Sequence, residues 1–103
     1  MDFSKLGGLI PAVVQDAATR EVLMVGFMNE EALAVTRSSG YATFFSRTRN
    51  TLWTKGETSG NRLRVEQILL DCDEDTVVLK VTREGSGNVC HTGARSCFQT
   101  SLE

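Results

Sequence analysis

The stretch LDCDEDT, residues 70–76, sets the strongest limit on how this chain can fold. It packs Asp71, Asp73, Glu74 and Asp75 around Cys72, between two segments that want to be buried. RLRVEQILL (62–70) alternates and then becomes fully apolar, as a strand entering a core does, and TVVLKVT (76–82) is a β-branched strand. The ordinary reading of acids between two strands is a solvated hairpin turn. An EF-hand loop is excluded, because counting from Asp71 puts Thr76 where Gly is required and Thr82 where Glu is required. If the segment is extended, Asp71, Asp73 and Asp75 share one side and Cys72 and Glu74 the other. Three carboxylates on one side call for a cation. Oxygen ligands suit Mg²⁺ or Ca²⁺, and a thiolate suits Zn²⁺. A tight turn would destroy that alternation.

The remaining segments give an α+β chain with six short strands and one main helix. LIPAVVQDA (9–17) and VLMVGFM (22–28) read as strands around a turn at 16–21. Asn29 caps a helix whose first turn carries Glu30 and Glu31, and Ser38, Ser39 and Gly40 end it. YATFFS (41–46) and TLWTK (51–55) are strands around a turn at 47–50, GETSGN (56–61) is a polar loop, and residues 84–99 are mostly loop.

At 103 residues the chain fits one domain over 1–103, with a core thin enough that a metal or a second subunit would help it. A net charge of −2 argues against a general nucleic-acid binder. No apolar run approaches the roughly 20 residues of a membrane helix, and the N-terminus lacks the pattern of a secretory signal. The expected location is therefore the cytoplasm, where three cysteines stay reduced and free for a metal.

CHTGARSC (90–97) supplies Cys90 and Cys97 with His91 beside the first. The spacing is looser than a structural zinc knuckle, and a buried inert cysteine is the common alternative for each thiol. With Cys72 the chain offers three soft ligands and a single histidine. Neighbouring side chains in extended backbone point apart, so Cys90 and His91 would not both reach one ion. Three cysteines with a water position and an unengaged His91 to move protons match a catalytic zinc site. A surface or capping role is the bland reading of His91. Whether the cysteines meet within one chain or across a subunit boundary stays open.

Between residues 46 and 64 lie Ser46, Arg47, Arg49, Lys55, Arg62 and Arg64, with Glu57 the only acid. Thr58, Ser59, Gly60 and Asn61 add hydroxyls and flexible backbone, which suits a phosphorylated ligand. A solvated face is the alternative for the arginines. Trp53 fits either a stacking platform or a core plug, the commoner fate of a lone Trp.

Taken in order, MNEEAL (28–33), SRTRNTLWTKGETSGN (46–61), LDCDEDT and CHTGARSCF (90–98) closely resemble the phosphoribosyl-AMP cyclohydrolases, the ring-opening hydrolases of histidine biosynthesis. The likeness runs from about residue 8 to residue 98, with Phe44-Phe45 standing where the family often has an aromatic followed by Trp. The resemblance implies zinc- and magnesium-dependent hydrolysis of the N1–C6 bond of 1-(5-phosphoribosyl)-AMP, with activated water attacking C6. It implies Cys72, Cys90 and Cys97 as zinc ligands and Asp71, Asp73 and Asp75 as magnesium ligands. It further implies an intertwined homodimer, built on a small, mostly antiparallel sheet, with zinc bound across the interface. His91 is the expected proton carrier. Ser46, Arg47, Arg49, Trp53, Lys55, Glu57, Thr58, Ser59, Gly60 and Asn61 are the expected substrate contacts. Many relatives carry a second, pyrophosphohydrolase domain, for which this chain is too short.

A non-catalytic zinc module for nucleic acid or protein is the main rival, and the acidic pI of about 5.4 and the absence of C-x₂-C pairs argue against it. A deaminase would need a Pro-Cys-x-x-Cys signature, and the only proline is Pro11. A thiol redox sensor would show reactive, metal-free cysteines.

Overall fold

The computed structural model describes residues 1–103. Its elements are β1 (Ile10–Asp16), β2 (Val22–Met28), α1 (Glu30–Ser39), β3 (Thr43–Ser46), β4 (Thr51–Thr54), β5 (Leu63–Leu70) and β6 (Val77–Arg83). Each falls within two or three residues of its expected place. The α+β reading holds.

The sheet is mostly antiparallel, with two features the sequence did not announce. It divides into a four-stranded sheet of order β2-β1-β6-β5 and a separate β3–β4 hairpin. Within the larger sheet β1 and β6 run parallel. β1 is central, and its alternation is regular: Ile10, Ala12, Val14 and Asp16 are buried while the residues between them are half-buried. Asp16 thus occupies a core position at the end of a central strand.

α1 begins where Asn29 Oδ1 accepts the Ala32 N–H at 2.8 Å. It ends at Gly40, whose φ of 82° lets its N–H reach Thr36 O. Thr36 is buried and satisfied: its hydroxyl donates to Thr43 O at 3.1 Å and accepts the Thr43 N–H at 3.0 Å. This pair locks the helix to the start of β3.

The hairpin packs on β2 through Phe44, which is fully buried and sits across from Trp53 with ring centroids 5.0 Å apart. Gly26 makes this possible, since a Cβ there would lie 2.6 Å from the Phe44 ring. Trp53 is half-buried against the core, and its other side is open.

The expectation that residues 62–70 enter the core holds only in part: Leu63 is buried and Val65 and Ile68 pack against the core, but the far end does not. β5 is an edge strand, and Leu69 and Leu70 are 39% and 45% exposed. On the opposite edge, Val22 and Val25 of β2 are also exposed, as is Phe98. No helix is long and apolar enough to cross a membrane.

Candidate active site

Two loops leave the same end of the fold and face each other across a cleft of about 560 Å³. The first follows β4, and Lys55, Glu57, Thr58, Ser59 and Asn61 line the cleft from it, together with Arg49 and Trp53. The second follows β6, and Ser86, Asn88, Cys90 and His91 line the cleft from there. Asn61 ties the loops together. Its Oδ1 accepts the Ser86 N–H at 2.9 Å, and its Nδ2 donates to Asn88 O at 3.3 Å. Gly85 is required at this crossing, because a Cβ would overlap the Asn61 side chain.

The thiol segment is pinned to β2. Ser96 Oγ donates to Val22 O at 2.8 Å, the Cys97 N–H donates to Leu23 O at 2.8 Å, and Arg95 pairs with Glu21 at 2.7 Å. Cys90 and Cys97 lie close enough to affect each other's ionisation. The Thr92 hydroxyl donates to Cys90 Sγ at 3.1 Å and, with help from Cys97 and the positive Lys55, pulls the Cys90 thiol below its ordinary pKa. Burial and the neighbouring Cys90 push the Cys97 thiol up. The backbone turns directly after Cys90, with the Gly93 N–H on Cys90 O at 2.9 Å. His91 and Cys90 therefore both border the cleft, where an extended backbone would have sent them apart.

The acidic segment lies at the other end of β5. It is a turn, so the alternation expected for an extended strand does not occur. Asp71 Oδ1 accepts the N–H groups of Asp75 and Thr76 at 3.0 and 3.2 Å, and Glu74 adopts a left-handed φ of 63°. The three aspartates nonetheless converge, with carboxylate oxygens within 4.8 Å of one another, because the turn curls around Asp71. Sequence reasoning missed the cation already there. Lys5 Nζ lies 2.9 Å from Asp73 Oδ2 and 3.0 Å from Asp75 Oδ2. It holds Asp73 down to about 2, while lost hydration and the adjoining carboxylates push Asp71 up.

Cys72 sits on this turn, exposed, and is not gathered with Cys90 and Cys97. β5 runs from the cleft end of the fold to the acidic end, and eight residues at about 3.3 Å each separate them by roughly 25 Å. One chain therefore presents Cys90 at the cleft, with Cys97 on the same loop segment, and Cys72 at the far end.

Of the expected substrate contacts, Arg49, Trp53, Lys55, Glu57, Thr58, Ser59 and Asn61 line the cleft, whereas Ser46, Arg47 and Gly60 do not. Ser46 Oγ accepts the Arg49 N–H at 3.2 Å within the β3–β4 turn, and Arg47 stacks on Phe27, 4.3 Å from the ring centroid. Gly60 shapes its loop at φ 81°. Ser86 and Asn88 were not anticipated. The signal was present: EGSGN (84–88) echoes ETSGN (57–61).

Residues 24–99, which include both cleft loops and the acidic turn, match the family model for phosphoribosyl-AMP cyclohydrolase. The chain belongs to that family. It is 56% identical over 103 residues to the phosphoribosyl-AMP cyclohydrolase of Geotalea uraniireducens (strain Rf4), covering 100% of this chain and 82% of that one. The enzyme of the same name from Geobacter sulfurreducens is also 56% identical, with the same coverage. That of Erythrobacter litoralis (strain HTCC2594) is 60% identical over 96 residues, covering 93% of this chain and 75% of the relative. Lys5 and β1 lie outside the residues matched by the cyclohydrolase model.

Proposed function

We propose that this chain hydrolyses the N1–C6 bond of the adenine ring of 1-(5-phosphoribosyl)-AMP, opening the ring in histidine biosynthesis, and that it does so as a zinc-dependent homodimer. The ring-opening reaction follows from membership of the cyclohydrolase family. The observation that carries the site assignment is the Cys90–Cys97 thiol pair, beside His91 and Lys55 at the edge of a polar cleft.

The donor sets fit two different metals. Two neighbouring free thiols, one of them with its pKa lowered by the Thr92 hydroxyl, suit a soft divalent ion, and Cys72 from another chain would complete a three-thiolate set. The Asp71, Asp73 and Asp75 oxygens suit Mg²⁺, and the Lys5 ammonium against two of them supports a cation-seeking site. Zinc, when bound, supplies a water with a pKa near 7 and a Lewis acid at the carbon under attack.

The chain's own groups do the rest. Trp53, open on its cleft side, offers a face for the purine. Arg49, Lys55 and the hydroxyls of Thr58 and Ser59 face the same space and would hold phosphate oxygens. His91 stands next to Cys90 and has no hydrogen-bond partner in the chain, so its ring is free to carry a proton to the departing N1.

A dimer accounts for several features at once. It would bring Cys72 and the carboxylates of one chain to the cleft of the other, across the distance one chain cannot close. It would also cover Leu69, Leu70, Val22, Val25 or Phe98, which a monomer leaves in water. The test is turnover of phosphoribosyl-AMP, followed by the ultraviolet change on ring opening. Activity should vanish with a zinc chelator and return with zinc. Folded, metal-loaded protein without turnover would remove the assignment.

A further inference from the structure

The Asp16–Arg83 pair lies outside the cleft, and nothing in the proposed chemistry uses it. Asp16 ends β1 with its side chain only 8% exposed, and Arg83 ends β6 at 23%. Arg83 Nε donates to Asp16 Oδ2 at 2.8 Å, and Arg83 Nη1 donates to Gly87 O at 2.8 Å. Asp16 Oδ1 accepts the N–H groups of Ala18 and Thr19 at 2.9 and 3.0 Å, so the carboxylate is fixed from the other side. A partly buried ion pair is a weak source of stability, because desolvation offsets its attraction.

Gly87 belongs to the second cleft loop, Glu84–Asn88, whose far wall is held by Asn61 through Ser86 and Asn88. The loop has two left-handed glycines, Gly85 and Gly87, at φ of 66° and 80°, and so has little stiffness of its own. The Asn88 side-chain amide borders the cleft and makes no hydrogen bond within the chain.

We infer that Arg83 is a positioning residue for substrate binding: anchored by Asp16, it holds the Glu84–Asn88 loop so that the Asn88 amide and Ser86 hydroxyl form the second wall of the cleft. An amide beside a hydroxyl recognises the hydroxyl and phosphate oxygens of a phosphoribosyl group. The inference rests on the cleft being the substrate site. Arg83 suits the task because its rigid planar fork presents Nε to Asp16 and Nη1 to Gly87 O in one fixed geometry, which the three donors on a lysine's flexible stem do not hold.

Steady-state kinetics on the zinc-loaded enzyme test it, with Arg83→Lys, Asn88→Ala, the double variant and Lys55→Ala. Arg83→Lys keeps the charge on Asp16 and gives up Gly87 O. It should raise KM for phosphoribosyl-AMP roughly tenfold, with kcat within about twofold and bound zinc unchanged. Asn88→Ala should also raise KM, and the double variant should be little worse than the more impaired single, since the first acts through the second. An unchanged KM in Arg83→Lys, with KM raised in Lys55→Ala, would overturn the inference and leave the cleft standing. Multiplying effects in the double variant, or loss of zinc and of kcat in Arg83→Lys, would also overturn it. Unchanged KM in Lys55→Ala and Asn88→Ala together would remove the cleft itself as the substrate site.

Discussion

Lys5 and Asp73, 68 residues apart in the chain, meet at 2.9 Å. The ammonium bridges two of the three carboxylates, so in the proposed magnesium site it would compete with the metal. Substituting Lys5→Met should tighten Mg²⁺ or Mn²⁺ binding by roughly two- to fivefold, the scale of an exposed ion pair, with little change in melting temperature. Calorimetric titration of the metal into the zinc-loaded protein reads this directly. Weaker binding in the variant would mean that Lys5 helps to build the site.

The Asp16 carboxylate predicts a specific acid lability. Burial disfavours its charge, but the Thr19 and Ala18 N–H groups and Arg83 outweigh that and hold its pKa below the ordinary value of 3.8. The folded state therefore binds this proton less readily than the unfolded chain. The contribution is complete above about pH 4 and is lost as pH falls through the lowered folded value. Asp16→Asn should be less stable than wild type at neutral pH, and the difference should shrink below pH 4. Urea unfolding at a series of pH values checks the sign.

Gly26 is a packing requirement. Gly26→Ala forces a methyl group into the ring of Phe44, which is fully buried and cannot easily give way. A cost of about 2 kcal/mol is expected from overpacking of this kind. Trp53 packs against Phe44 with the rings tilted by 37°, so its fluorescence maximum should shift in the same variant. Wild-type stability with an unmoved spectrum would show that the hairpin is not seated by this contact.

His91 is exposed and makes no hydrogen bond in the chain, so its loss should leave the fold intact. His91→Gln should lower kcat about 100-fold with KM and zinc content nearly unchanged, and should remove one limb of the pH–rate profile. Near-wild-type kcat across pH would take the proton-carrier role away from it.

Most of the fold was legible because its signals are local. The Asn29 cap, the Gly40 stop and the β-branched, apolar runs of β1 and β6 each depend on a few neighbouring residues. What could not be read depends on contacts between distant segments. The parallel β1–β6 pairing, Lys5 on the acidic turn and the Asn61 lash to Ser86 and Asn88 have no local signature. The far end of β5 misled for a related reason: an apolar run marks surface that must be covered, and does not say whether the cover belongs to the same chain. The acidic turn reached the expected convergence of Asp71, Asp73 and Asp75 by a different route, because main-chain bonds to Asp71 curl the backbone that alternation would have kept straight.

In the proposed dimer each zinc site is shared, with Cys72 from one chain and Cys90 and Cys97 from the other. Complementation between two inactive variants tests it most directly. Cys72→Ser and Cys90→Ser should each be inactive alone. After unfolding and refolding as an equimolar mixture, half the dimers are mixed, and each of those has one fully wild-type site and one doubly damaged site. The mixture should regain about one quarter of wild-type turnover. No recovery from a mixture shown to contain mixed dimers, or full activity in Cys72→Ser alone, would contradict the shared site.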